Sequence, residues 1–244
     1  MQALFVNFHL DSKWSIDQNC MYTYAFFKTS GVTLPFHQGI AGTIQVVQTP
    51  VLSALVEPEL DFEAIQADDN QLVQAVLTHD RVICQLFWQM TILPLRFGTQ
   101  FVSEERLLTH LEAQQESYRV KLNQLEGKAE HRLRLTLLEP DDNPTWLDKD
   151  LTGKGQFLAQ KQLYPHQTDR HGQQQQEVQQ LLNSIAQHYP NYHKLESSED
   201  VEKIYLLVDR QAEMMLYEHV EQWQQHCPSW ELELGEALPP YHFV

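Results

Sequence analysis

The chain has little positive charge, little cysteine and no long hydrophobic run. Its 244 residues carry 17 Lys and Arg against 33 Asp and Glu, a formal net charge of −16. Neutralising phosphates needs the opposite surplus, so nucleic-acid binding is excluded as a main role and docking on an anionic leaflet is disfavoured. Three cysteines, Cys20, Cys84 and Cys227, lie far apart with no CxxC pair. That makes no disulfide framework and points to a reducing, intracellular compartment. No window reaches the roughly 18–20 uncharged apolar residues of a membrane helix. Residues 1–14 lack the basic start and small-residue cleavage site of a signal peptide. The expectation is a soluble protein without membrane insertion. Disorder is excluded in turn, because 42% of residues are hydrophobic and 10% aromatic.

Motifs that carry chemistry are missing as well. There is no HExxH and no CxxC facing a distant histidine pair. His219 and His226, seven apart, share a helix face but have no third ligand. His166 and His171 lie in an interrupted helical stretch. Both pairs read as surface or boundary histidines. The acidic group Asp141, Asp142, Asp148 and Asp150 lacks the ligand order and mid-loop glycine of a calcium loop. Gly153-Lys154-Gly155 belongs to no phosphate-loop pattern. No GxSxG is present, and Cys84, inside an apolar helical pattern, reads as a core thiol. His79 and Asp80 are adjacent, and adjacent helical side chains point about 100° apart. They read as a surface histidine beside an aspartate rather than half of a catalytic dyad. No catalytic, cofactor or metal residue is assigned.

What is present is a two-part alternation of strands and helices. Residues 1–20 are either a leader or an extra strand, with Leu4, Val6, Phe8 and Leu10 alternating. Residues 21–27 (MYTYAFF) form a strand, and 41–57 a hairpin turning at Thr49-Pro50. Leu72, Val76, Ile83, Leu86, Phe87 and Met90 mark a helix with one buried stripe. Residues 92–101 (ILPLRFGTQF) suit one interior strand closed by Gly98. Ser103 caps a helix that runs to Gly127. Strands follow at 133–137, 193–196, 203–209 and 230–234. Between them lie a polar helix over 152–189, interrupted at Pro165 and Gly172, and a helix marked by Leu216, Val220, Trp223 and Cys227. The fold class is therefore α+β in two domains, 21–126 and 127–244. The second has the βαββαβ order of a ferredoxin-like fold, and the first is a modified version of it.

Arg96 stands out inside the apolar run. A buried arginine needs a partner, so the expectation is a structural ion pair with Asp80, Glu104 or Glu105, and Gly98 is grouped with it as structural.

Residues 21–27, His79-Asp80, 92–101, Ser103-Glu104-Glu105, 127–138, 153–158 (GKGQFL), 204–210 (IYLLVDR) and 238–244 (LPPYHFV) together resemble the GvpF/GvpL family of gas vesicle proteins. LPLRFGT and PPYHFV are the specific parts. The resemblance runs from about Met21 to the last residue. It departs at Ala237, where relatives often carry glycine, and in the segment before Met21. It implies two α+β domains, the second ferredoxin-like, and a non-enzymatic role without cofactor. That role is a minor vesicle component that binds the small hydrophobic shell protein, together with other vesicle accessory proteins, and supports nucleation while limiting aggregation.

A holding protein needs apolar contacts and enough like charge to keep the complex in solution, and this chain allows both. The second domain and its tail are the expected contact region, through Trp230, Leu232, Leu234, Pro239, Pro240, Tyr241 and Phe243. Two other classes compete. An enzyme would need a pocket of converging ionisable groups, and a sensor would hold a small ligand between paired ferredoxin-like domains.

Overall fold

The computed structural model describes residues 20–30, 38–138, 154–198 and 200–244. The leader or strand expected before Cys20 and the acidic cluster within 139–153 lie outside the described residues. The chain divides into two compact units between Leu122 and Asn123.

The first unit holds β1 (Met21–Lys28), β2 (Gln45–Gln48), β3 (Leu52–Pro58), β4 (Ile92–Pro94) and β5 (Gln100–Phe101). Its sheet runs β2-β3-β1-β4, with β5 also paired to β1, and every pairing is antiparallel. β1 is central, so every residue from Met21 to Phe27 is buried, which is why it reads as a run rather than an alternation. Its register with β3 shifts between Thr23 and Ala25 and leaves Tyr24 without a partner of its own. At the β2–β3 turn the Leu52 N–H donates to Thr49 Oγ1 at 3.0 Å.

The helices are α1 (Phe62–Gln66), α2 (Asp69–Phe87), α3 (Glu104–Ala113) and α4 (Gln115–Leu125). Asp68 caps α2 by accepting from the N–H groups of Asn70 and Gln71, and Ser103 caps α3 by accepting from Arg106. The helix expected to continue to Gly127 is broken at Gln114, whose φ of −101° and ψ of 6° leave the helical region. The break lets His110 of α3 hydrogen-bond Tyr118 of α4 at 2.7 Å. The strand order matches a ferredoxin-like sheet, but no helix is described between β1 and β2.

Further expectations change in this unit. Residues 92–101 are not one strand. They pair as β4, leave the sheet in a turn at Leu95–Thr99 and return as β5. Gly98 makes the turn with φ +85°, and Thr99 closes it by donating its N–H to the Arg96 carbonyl at 3.1 Å and its hydroxyl at 2.7 Å. Arg96 therefore lies on the turn, exposed. Among the described residues it forms no ion pair with Asp80, Glu104 or Glu105. A charge that stays in water needs none, so the buried-pair reading of Arg96 is corrected. Helix α2 also buries Ala75 and His79, while Val76 is 42% exposed.

The second unit holds β6 (Lys128–Leu137), α5 (Lys154–His188), β7 (Tyr192–Ser198), β8 (Val201–Asp209), a short 3-10 turn, α6 (Glu213–His226) and β9 (Trp230–Leu234). Its antiparallel sheet runs β7-β8-β6-β9, the ferredoxin-like order. Val178 and Ile185 of α5 and Leu216 and Trp223 of α6 pack on Leu133 and Leu206 of the sheet. Helix α5 runs unbroken through Pro165 and Gly172. Their local costs are roughly 3 and 1 kcal/mol, and the length of the helix outweighs them.

Gly98→Ala should destabilise the protein by about 1–3 kcal/mol, because a side chain is strained at positive φ and its Cβ would lie 3.2 Å from the Phe62 ring. Urea unfolding checks this, and an unchanged midpoint would show that the turn tolerates a Cβ.

Candidate interaction site

Among the described residues, two clusters of titratable groups are bonded to internal partners. In the first unit, burial holds His79 below its ordinary value near 6.5, against the opposing hydrogen bond to Leu95 and the nearby Asp80. The ring is therefore neutral at neutral pH. Its Nε2–H donates to the Leu95 carbonyl at 3.1 Å, because a carbonyl only accepts. Nδ1 is left to accept the Tyr22 hydroxyl at 2.7 Å. The Tyr24 ring stacks on the imidazole with centroids 5.3 Å apart. His79 is thus a core residue, not the surface histidine expected from its neighbour Asp80.

The Tyr24 hydroxyl donates to Glu57 at 2.5 Å. Glu57 is fully buried and also accepts the N–H groups of Ile40 and Ala41, each at 2.7 Å, and that of Gly42. A Cβ on the adjacent Gly39 would collide with this carboxylate. Burial raises the ionisation of both tyrosines far above the ordinary range, with Glu57 adding to the effect. Both hydroxyls remain donors, and no base is poised for chemistry.

The thiols are equally quiet. Cys84 is half-buried rather than a core thiol. Burial, then the nearby Asp80, pushes it up to about 11. Burial, then Glu177, does the same for Cys227. Neither carries appreciable thiolate at neutral pH. Among the described residues no group of three or more His, Cys, Asp or Glu is placed to hold a metal ion. A cleft of about 220 Å³ between α5 and α6, lined by Ser184, His188, His219, Trp223 and Cys227 among others, is below the usual range for small-molecule sites.

The second cluster lies on the sheet face opposite α5 and α6, and it organises the tail. Leu238 exchanges both backbone hydrogen bonds with Glu130 of β6, at 3.0 and 2.8 Å. The buried Glu130 carboxylate then accepts the His242 backbone N–H at 2.8 Å and its Nδ1–H at 2.7 Å. The His242 ring stacks on Tyr205 with centroids 3.7 Å apart, and Phe243 lies 4.8 Å from the His193 ring. The tail is held back on its own unit.

This arrangement sorts the contact residues expected from sequence. Trp230 is 4% exposed and belongs to the core, while Leu232 and Leu234 pack against that core. Pro239 and Pro240 are buried. Trp230, Pro239 and Pro240 thus spend their surface inside the unit, while Leu232 and Leu234 are only partly buried. Tyr241 and Phe243, like Leu232 and Leu234, keep part of their surface open. Glu130 and His242 were missed. The alternation of β6 places Glu130 beside Arg132 and Arg134, as if facing solvent, and nothing local shows that the tail returns to cover it.

The chain matches the family described as "Gas vesicle synthesis protein GvpL/GvpF" over residues 20–244. It is 32% identical over 131 residues to gas vesicle protein F1 of Halobacterium salinarum, a match covering 50% of this chain and 56% of that relative. The chain thus aligns with little more than half the length of the relative. Two solved structures have the same fold, each covered over 92% of this chain and 98% of theirs. They are GvpF of an Anabaena species, with TM-score 0.70 and 16% identity, and GvpF of Microcystis aeruginosa, with TM-score 0.64 and 16% identity.

His242→Ala should weaken the second unit by roughly 1–3 kcal/mol, since it strips a donor from a buried carboxylate. It should also speed carboxypeptidase trimming of the tail, and an unchanged trimming rate would count against the latch. For His79 the sign follows from its depressed folded value: the unfolded chain binds the proton more readily, so stability falls as pH drops below about 6.5. Urea midpoints at pH 7.5 and 5.5 should differ less in His79→Gln than in the parent. Equal differences would assign the titration to other groups.

Proposed function

The chain belongs to the GvpL/GvpF family of gas vesicle synthesis proteins, and from that membership we propose that it is a non-enzymatic accessory component. It binds the small hydrophobic shell protein and keeps it from aggregating while vesicles nucleate and grow. The observation that carries this reading is the family match over residues 20–244. The chemistry of the fold supports it. Among the described residues the clustered ionisable groups are bonded to internal partners, and burial raises all three free thiols, Cys20, Cys84 and Cys227, rather than activating them.

The surface fits a holding role. Val73, Leu77, Trp88, Met214 and Met215 are each more than half exposed, in a chain of net charge −16. Exposed apolar side chains supply affinity for an apolar client, and excess like charge keeps the loaded complex dispersed. No described helix is long and apolar enough to cross a membrane. On this reading the protein works at the gas vesicle, beside the shell protein and other vesicle accessory proteins, with its second unit and tail carrying most of the binding.

Co-purification of the full chain with the shell protein tests this reading, with light scattering of the shell protein as a second readout. Capture and reduced scattering are expected, and their absence would overturn it. Deleting residues 239–244 should lower both thermal stability and capture, because Glu130 would lose its donors and the sheet its brace. A truncated chain as stable and as competent as the parent would remove the tail from the mechanism.

A further inference from the structure

Helices α5 and α6 bring together two histidines from distant parts of the chain. Two hydrogen bonds tie the end of α5 to α6. The Trp223 Nε1–H donates to Ser184 Oγ at 3.0 Å, and the Tyr189 hydroxyl is bonded to His219 Nδ1 at 2.9 Å. His188, the last residue of α5, lies between these ties in sequence, and its ring centroid is 4.6 Å from that of His219. The Trp223 indole stacks on His219 with centroids 5.9 Å apart. The His219 ring is thus fixed by a tyrosine and an indole, and both histidines line the cleft of about 220 Å³. From the sequence His219 pairs with His226. In the fold it meets His188 instead.

Hydrogen bonding decides which ring nitrogens are available. His188 Nδ1 lies 3.0 Å from the Ser184 carbonyl. A carbonyl only accepts, so this nitrogen carries the hydrogen, and in the neutral ring Nε2 keeps a bare lone pair. His219 Nδ1–H can donate to the Tyr189 hydroxyl in the same way, which leaves its Nε2 bare as well. Among the described residues nothing is bonded to either Nε2. An imidazole whose other N–H is held by an oxygen is in the state that ligates metals, with the tautomer and the ring orientation both set. No Lys, Arg, Asp or Glu lines the cleft, and burial, then Glu177, pushes the Cys227 thiol up to about 11. Imidazole nitrogen is therefore the ligand on offer, and it suits zinc, nickel and copper rather than calcium or magnesium.

We propose that His188 and His219 form a two-imidazole site for a divalent transition-metal ion of the zinc class, clamping the end of α5 to α6. Two protein ligands leave the other coordination positions to water, so this is an open, exchanging site and not a closed structural zinc. His226 lines the same cleft, but it lies seven residues beyond His219, about 10.5 Å along the helix, too far to share the ion. Tyr189 acts through His219 as a positioning residue. The net charge of −16 favours the approach of a cation.

The test is calorimetric titration of the untagged full chain with zinc ions, with the thermal unfolding midpoint as a second readout. The parent should take up zinc, and bound zinc should raise its midpoint, since a ligand held only by the folded state stabilises it. His188→Gln and His219→Gln should each weaken the tightest site by about 100-fold, and Tyr189→Phe by about tenfold, as loss of an outer-shell partner does. His226→Gln should bind as the parent does. His188 is exposed, so His188→Gln decides the matter if His219→Gln does not fold. A parent that takes up no zinc overturns the site, as does His188→Gln binding as tightly as the parent. A loss in His226→Gln equal to that in His188→Gln overturns the pairing of His188 with His219. Zinc binding that leaves the parent midpoint unchanged overturns the clamp.

Discussion

Glu57, Glu130 and Glu177 are all buried on this framework, and a buried carboxylate must have its oxygens filled by donors. Each obtains them from backbone far along the chain. Glu57 of β3 draws in the N–H groups of Ile40, Ala41 and Gly42. Glu130 of β6 holds His242 in the tail. Glu177 of α5 accepts the N–H and hydroxyl of Ser229, just before β9. Apolar packing forms the sheets and their helices. These carboxylates then fix irregular segments that hydrophobicity alone would leave loosely placed. Losing either side strands a polar group in the core, which is why the loop at 40–42, the entry to β9 and the tail are parts of the fold.

The same accounting bears on function. Groups that could do chemistry are spent on structure: His79 bridges Leu95 and Tyr22, and His242 serves Glu130. What the protein leaves unspent is surface. Among the described residues, Val73 and Leu77 of α2 and Met214 and Met215 of α6 are apolar side chains left more than half exposed.

Gln224 shows how finely such a surface is set. It is an ordinary polar helix residue in the sequence, but in the fold its amide lies against the edge of β9 and bonds the Trp230 carbonyl and the Leu232 N–H. Native sheets protect their edges in several ways, and a side-chain amide that copies a neighbouring strand is an economical one.

Much of the architecture was legible along the chain, because it depends on periodicity. The alternation Leu133, Leu135, Leu137, the continuous run of β8 and the stripe of α6 each report their own burial, and their order gives the ferredoxin-like plan. The caps at Asp68 and Ser103 are local chemistry too. What only the tertiary structure decided involves partners distant in sequence. His79 becomes a core residue because Tyr22 lies 57 positions away and satisfies its ring. Arg96 becomes a solvent residue because Gly98 turns the chain out of the sheet. Glu130 reads as a solvent-facing residue until His242, 112 positions later, returns to cover it. Burial of a polar side chain depends on whether its donors arrive, and no local pattern of residues records that.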